Sequence, residues 1–161
     1  MGIVLFRLDE RLIHGQVVVA WGEFLRPNRI VIFNDQVAAS PWERELYTCC
    51  VPPEFQASVY NLEEAFRKLS NGTFDSERVI ALVENMKDIL ELRQKGVSIP
   101  EVNLGGLHYG PGRHRLLPYL YLSPQEKKIC EELFGLGVKL FCQDVPSAEK
   151  RDLKELLQKP F

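Results

Sequence analysis

The sequence predicts an α/β fold, a three-layer α/β/α sandwich around a mostly parallel sheet of about six to seven strands. Three observations carry that expectation. Short apolar runs rich in β-branched residues recur along the chain without polar alternation, as in parallel strands buried on both faces. Helical stripes with readable caps fall between them. The alternation runs through all 161 residues with no repeat, low-complexity tract or linker, so a single domain over 1–161 is expected.

The first strand is expected over 3–6, and a charged turn follows it. Behind that turn Val17, Ala20, Trp21, Phe24 and Leu25 share one face if the stretch is helical. A second strand is expected over 30–33, followed by Asn34, Asp35 and Gln36. Ser40-Pro41-Trp42-Glu43 then supplies an N-cap, a proline at the first helical position and a capping-box glutamate. On that helix Trp42, Leu46, Cys49 and Cys50 form a stripe expected to face the core. A weaker strand is read over 57–60, and Asn61 caps a helix striped by Leu62, Ala65, Phe66 and Leu69. Strands over 79–83, 102–104 and 138–141 complete the sheet. Ser123-Pro124-Gln125-Glu126 opens a last helix, striped by Ile129, Cys130, Leu133 and Phe134, and Gly96 and Gly137 mark helix ends. The stretch 105–117, dense in glycine and arginine, is read as one long functional loop.

Twenty Lys and Arg against 22 Asp and Glu give a net charge of −2, which argues against a large basic nucleic-acid surface. No apolar run approaches the roughly 20 residues a membrane helix needs, and Arg7, Asp9 and Glu10 interrupt the first apolar run where a signal peptide would continue. Four cysteines without a CxxC pair read as reduced core thiols, so a cytosolic protein is expected. Asn71-Gly72-Thr73 reads as a turn. GxGxxG, GxxxxGK[ST] and GxSxG are absent, and His108 and His114 lack zinc spacing, so no cofactor or metal is expected.

Open sheets of this kind bind ligands outside the carboxyl ends of their strands. Three junctions qualify: 9–14, 34–36 and 105–115. In the first, His14 stands at a helix entrance beside Arg11 and Asp9. A neutral imidazole is nucleophilic near pH 7, free N–H groups at a helix start favour added negative charge, and an arginine grips equatorial phosphoryl oxygens. Asp9 is placed to fix the ring tautomer or to orient Arg11. His108 reads equally as a proton-handling group or a packing residue, and His114, beside Arg113 and Arg115, as part of a docking surface.

Residues 7–17, with Trp21 behind them, resemble a family signature close to R-x-D-D-R-L-I-H-G-Q-V. It belongs to the IIB component of the mannose/sorbose family of the bacterial phosphoenolpyruvate-dependent sugar phosphotransferase system. The similarity extends over 34–38, Pro52-Pro53, 102–107 and 135–145. It implies that His14 accepts a phosphoryl group from a phosphohistidine on a separate IIA protein. His14 would then donate it to a sugar bound by the membrane IIC and IID components, with the chain peripheral to that permease. It further implies that Arg11 and Asp9 clamp the phosphate and orient the histidine. Glu10, Leu12, Ile13 and Gly15 would complete the first loop, Asn34 and Asp35 the second, and Gly105, Gly106, His108 and Arg113 the third. Glu10 replaces the second aspartate of the signature and is longer by one methylene, and 109–115 is unusually rich in glycine and positive charge. A sensor phosphorylated on His14 without serving a permease, and a small-anion-binding module using 105–115, are the alternative readings. The sugar, the phosphorylated nitrogen and the oligomeric state stay open at this level.

Overall fold

The computed structural model describes residues 2–160. In chain order, β1 (Gly2–Asp9) leads through a short loop into a π-helical segment (Gln16–Trp21) and one α-helical turn, α1 (Gly22–Leu25). β2 (Arg29–Phe33), α2 (Asp35–Ala39) and α3 (Pro41–Cys49) follow, then β3 (Gln56–Tyr60), α4 (Leu62–Ser70), β4 (Arg78–Val83) and α5 (Met86–Gln94). The last third comprises β5 (Glu101–Gly106), a hairpin of β6 (His114–Leu117) and β7 (Leu120–Leu122), and α6 (Pro124–Gly135). It ends with β8 (Lys139–Cys142), β9 (Arg151–Asp152) and α7 (Leu153–Leu156).

Seven strands form one sheet in the order β3-β2-β4-β1-β5-β8-β9, and only the β8–β9 pair is antiparallel. Because β1 lies between β4 and β5, its carboxyl end sits in the middle of the sheet edge. Successive residues of β1 face opposite layers. Phe6 and Leu8 join a core with Leu62, Ala65, Ile89, Cys130 and Leu133 under α4, α5 and α6. Leu5 faces the other layer, where Leu12, Ile13, Val17, Val18 and Trp21 pack on Ile30, Ile32, Ile80 and Leu82. The same alternation turns Arg7 and Asp9 toward that second layer.

Helix starts follow the sequence closely. Ser40, Asn61, Asn85 and Ser123 each accept a backbone N–H three residues on, with full capping boxes at α4 and α6.

Three expectations need correction. The stretch 105–117 is no continuous loop: Gly105 and Gly106 end β5, and residues from His114 pair in the β6–β7 hairpin, which Leu107 joins through bonds to Tyr119 and Tyr121. The stripe Trp42, Leu46, Cys49 and Cys50 faces outward, with Trp42 70% exposed. α3 lies over the edge strand and buries no residue fully, and Tyr47 is the side chain it turns toward the core. Phe24 is likewise exposed, because the π-helical turn takes up an extra residue and carries it off the face that Val17 and Trp21 share. No helix among the described residues is long and apolar enough to cross a membrane.

Candidate functional site

At the end of β1 a fully buried carboxylate gathers the site. Asp9 Oδ2 accepts from Arg7 Nη2 at 3.0 Å and lies 3.0 Å from His14 Nε2. Asp9 Oδ1 accepts from the Arg11 backbone N–H at 3.1 Å and from Arg11 Nε at 3.3 Å. Burial opposes ionisation of Asp9. The hydrogen bond from His14, the charge of Arg7 and the Arg11 backbone N–H outweigh it and hold the carboxyl well below the usual carboxylate range.

Two apolar anchors shape the loop. Leu12, with φ +54°, and Ile13 are buried in the second-layer core, so the chain dips into the protein between Arg11 and His14. His14, 16% exposed, therefore sits at the surface directly above Asp9, and its carbonyl accepts the first helical bond, from Val18. Gly15 follows as the residue before the π-helical segment, with open space where a side chain would stand. Arg11 is 42% exposed and also donates Nη2 to Gln16 Oε1 at 3.0 Å, which leaves guanidinium N–H groups uncommitted at the site.

Beneath the loop, Arg7 is fully buried. Nη1 donates to Asn103 Oδ1 at 2.5 Å and to the Gln143 carbonyl at 3.1 Å, and the guanidinium lies 5.6 Å from the Trp21 ring centroid. Nε has no partner. Burial lowers the guanidinium pKa and Asp9 works against that shift. Room for this ion comes from β5. Gly105 is the extra residue where the β1–β5 register shifts between Leu8 and Asp9, and a Cβ there would overlap the Arg7 guanidinium. At Gly106 a Cβ would stand 2.9 Å from Asp9 Oδ1.

Glu10 extends the site toward the hairpin. It accepts from the His108 backbone N–H at 3.0 Å and from Arg113 Nη1 at 2.5 Å, and lies 3.2 Å from His108 Nδ1. Burial raises its carboxyl pKa, but the His108 N–H and Arg113 outweigh that, and the net shift is downward.

Residues 3–160 match the family model described as the PTS system sorbose subfamily IIB component. The chain belongs to that family. The sorbose-specific EIIB component of Klebsiella pneumoniae is 37% identical over 147 residues, which cover 91% of this chain and 90% of that protein. The crystal structure of the IIBSor domain of the sorbose permease from the same organism aligns with a TM-score of 0.90 at 35% identity, covering 98% of this chain and 97% of that one. The mannose-specific EIIAB component of Escherichia coli strain K12 is 31% identical over 159 residues, 99% of this chain but 49% of that protein. The chain is thus a phosphotransferase component of a sugar phosphotransferase system.

In this IIB component Asp9, Glu10, Arg11, Leu12, Ile13, His14, Gly105, Gly106, His108 and Arg113 converge on one part of the sheet edge. Asn34 and Asp35 stand apart from them, because β4 separates β2 from β1. Both serve as caps: Asn34 Oδ1 accepts from Val37 N at 2.9 Å, and Asp35 Oδ1 accepts from Leu62 N at 2.8 Å. Sequence reading gave Arg7 and Asn103 no part in the site and read Glu126 only as a capping residue. The signal for Asn103 was available, since an amide inside a strand buried on both faces must find polar partners, whereas Arg7 falls just beyond the first strand as expected over 3–6. Among the described residues no cluster of three or more His, Cys, Asp or Glu is arranged to hold a metal.

Proposed function

We propose that this IIB component, as one domain spanning 1–161, carries its phosphoryl group on Nδ1 of His14. The observation that carries the assignment is the contact between His14 Nε2 and Asp9 Oδ2 at 3.0 Å. An ionised carboxylate is only an acceptor, so Nε2 bears the proton, and the neutral ring keeps its lone pair on Nδ1.

In the first transfer, Nδ1 attacks phosphorus on a phosphohistidine of a IIA protein supplied by a separate chain. A P–N bond forms on His14 as the P–N bond on the donor breaks. Asp9 stabilises the positive charge that develops on the ring through Nε2–H, and the uncommitted N–H groups of Arg11 receive the equatorial oxygens. In the second transfer a sugar hydroxyl held by the membrane IIC and IID components attacks the same phosphorus. A P–O bond forms, the P–N bond breaks with its electron pair returning to Nδ1, and the hydroxyl proton passes to water. The activity is that of a protein-Nπ-phosphohistidine–sugar phosphotransferase, acting in the cytoplasm at the face of its permease. A histidine at the sheet edge, partly exposed and with open space beside it at Gly15, suits a carrier that meets two large partners in turn.

The test is phosphotransfer from labelled phosphoenolpyruvate through enzyme I, HPr and a sorbose-subfamily IIA protein, with nitrogen-15 histidine spectra to locate the phosphoryl group. Acid-labile label on the wild type, none on His14→Ala, and a phosphorus-coupled Nδ1 are expected. Label persisting on His14→Ala, or coupling to Nε2, would overturn the assignment. Arg11→Ala slows both transfers while leaving the urea unfolding midpoint in place, and wild-type transfer rates in that variant would remove Arg11 from the mechanism.

A further inference from the structure

The network around Glu10 continues beyond the site in one unbroken line. Arg113 Nη1 donates to Glu10 Oε1 at 2.5 Å and to the His108 carbonyl at 2.9 Å. Its opposite edge donates through Nε and Nη2 to the two oxygens of Glu126, at 3.2 and 2.7 Å. Glu126 is itself fixed, because Oε2 accepts the Ser123 N–H at 2.8 Å in the capping box of α6. Glu10 is anchored at its backbone by the bond from its N–H to the Gly106 carbonyl, and it adjoins Asp9 and Arg11. All three side chains are mostly shielded, at 29%, 20% and 21% exposure for Glu10, Arg113 and Glu126. Shielding and a forked guanidinium between two carboxylates distinguish this array from an exposed surface pair.

We infer that Glu126 and Arg113 are positioning residues for phosphoryl transfer, forming a strut that ties the start of α6 through Glu10 to the His14 loop and holds 107–113 beside it. Arg113 does not grip phosphate, because all but one of its N–H groups are already engaged. Its second effect is on charge. Glu10 lies in the loop that receives a phosphoryl dianion, and Arg113 compensates the carboxylate that would otherwise repel it. The length of Glu10 matters, since an aspartate there falls short of Arg113 by one methylene. The inference rests on the assignment of His14 as the phosphorylated residue.

Its test compares wild type with Arg113→Gln, Glu126→Gln, the double variant and Glu10→Asp. Glu126→Gln keeps an acceptor for Ser123, removes the charge and turns the oxygen that accepts from Arg113 Nη2 into a donor amide. In amide hydrogen exchange, 107–113 and 9–15 should both exchange faster in Arg113→Gln. Acceleration confined to 107–113, or none, would overturn the strut whatever His14 does. In single-turnover transfer from a phosphorylated sorbose-subfamily IIA protein, each single variant should lower the saturating rate by about tenfold or more, with the half-saturating IIA concentration unchanged. The double variant should be no slower than the worse single one. An unchanged saturating rate, or a loss seen only in half-saturation, removes the positioning role. Arg113→Lys should fail to rescue, because a point charge cannot bridge two carboxylates in fixed directions. Unlabelled wild type would instead sink the His14 assignment, with exchange still deciding whether the loops are coupled.

Discussion

Asp9 serves Arg7, Arg11 and His14 at once, and its environment makes each partner depend on the others. Replacing it by asparagine keeps the shape and removes the charge. Arg7 is then left buried without a counter-ion, and Nε2 of His14 loses the anionic acceptor that fixes its tautomer, since the one amide oxygen left cannot serve both the Arg7 and His14 side and the Arg11 side. Asp9→Asn should therefore cost about 3–5 kcal/mol in urea unfolding and abolish efficient labelling of His14. Adding Arg7→Met should recover part of that stability without recovering transfer. Gly105 makes a cleaner case, because the three atoms nearest to a Cβ there all belong to the Arg7 guanidinium. Gly105→Ala displaces the ion and should cost about 1–3 kcal/mol, while Gly105→Ala combined with Arg7→Met should be close to Arg7→Met alone. The charged cluster and lone histidine after an apolar strand made Asp9, Arg11 and His14 legible in the sequence. Arg7 was not, because a charge at a strand end looks like the first residue of a loop. Only the pairing of β1 with β5 shows that it lies inside the sheet with Asn103 and Gly105 around it.

Elements were legible where local rules sufficed. Ser40, Asn61 and Ser123 announce α3, α4 and α6 through caps that need no tertiary partner. What periodicity could not supply was the face each helix presents, since α3 rests on an edge strand and turns Tyr47 inward while Trp42 remains outside. Nor did it foresee the hairpin in 105–117, whose pairing is set by contacts with Leu107. α5 carries a testable cost at its N-terminus. Asp88 accepts from Asn85 Nδ2, yet burial, together with the charges of Asp35, Glu84 and Glu91, pushes its carboxyl pKa up to about 6. A carboxyl raised in the folded state binds its proton more tightly there than in the unfolded chain. Its contribution is therefore most favourable at low pH and declines as pH rises from about 4 to about 6. Asp88→Asn should be more stable than wild type at pH 8, with the difference vanishing by pH 4. Thermal unfolding at the two pH values measures it, and an equal difference at both would show that ionisation is not the cause.

Across the whole molecule the opposite linkage dominates at the active edge. The sheet places β1 between β4 and β5, so the carboxylate at its end is buried by layers above and strands on both sides. Asp9 and Glu10 are both held below their ordinary pKa values, Asp9 by His14, Arg7 and Arg11 and Glu10 by His108 and Arg113, in each case against the effect of burial. A carboxyl lowered in the folded state stabilises the protein above its unfolded pKa and loses that contribution as pH falls through the folded one. The urea midpoint should thus hold near neutrality and fall steeply below pH 4, and Asp9→Asn, already less stable, should show a much flatter acid limb. An equally steep limb in Asp9→Asn would place the acid sensitivity elsewhere in the molecule. The expected result means that the group orienting His14 for transfer is also a principal electrostatic anchor between β1 and the layer above it. Function and fold then share one ion pair, which explains why a charge as deeply buried as Arg7 is tolerated in the middle of the sheet.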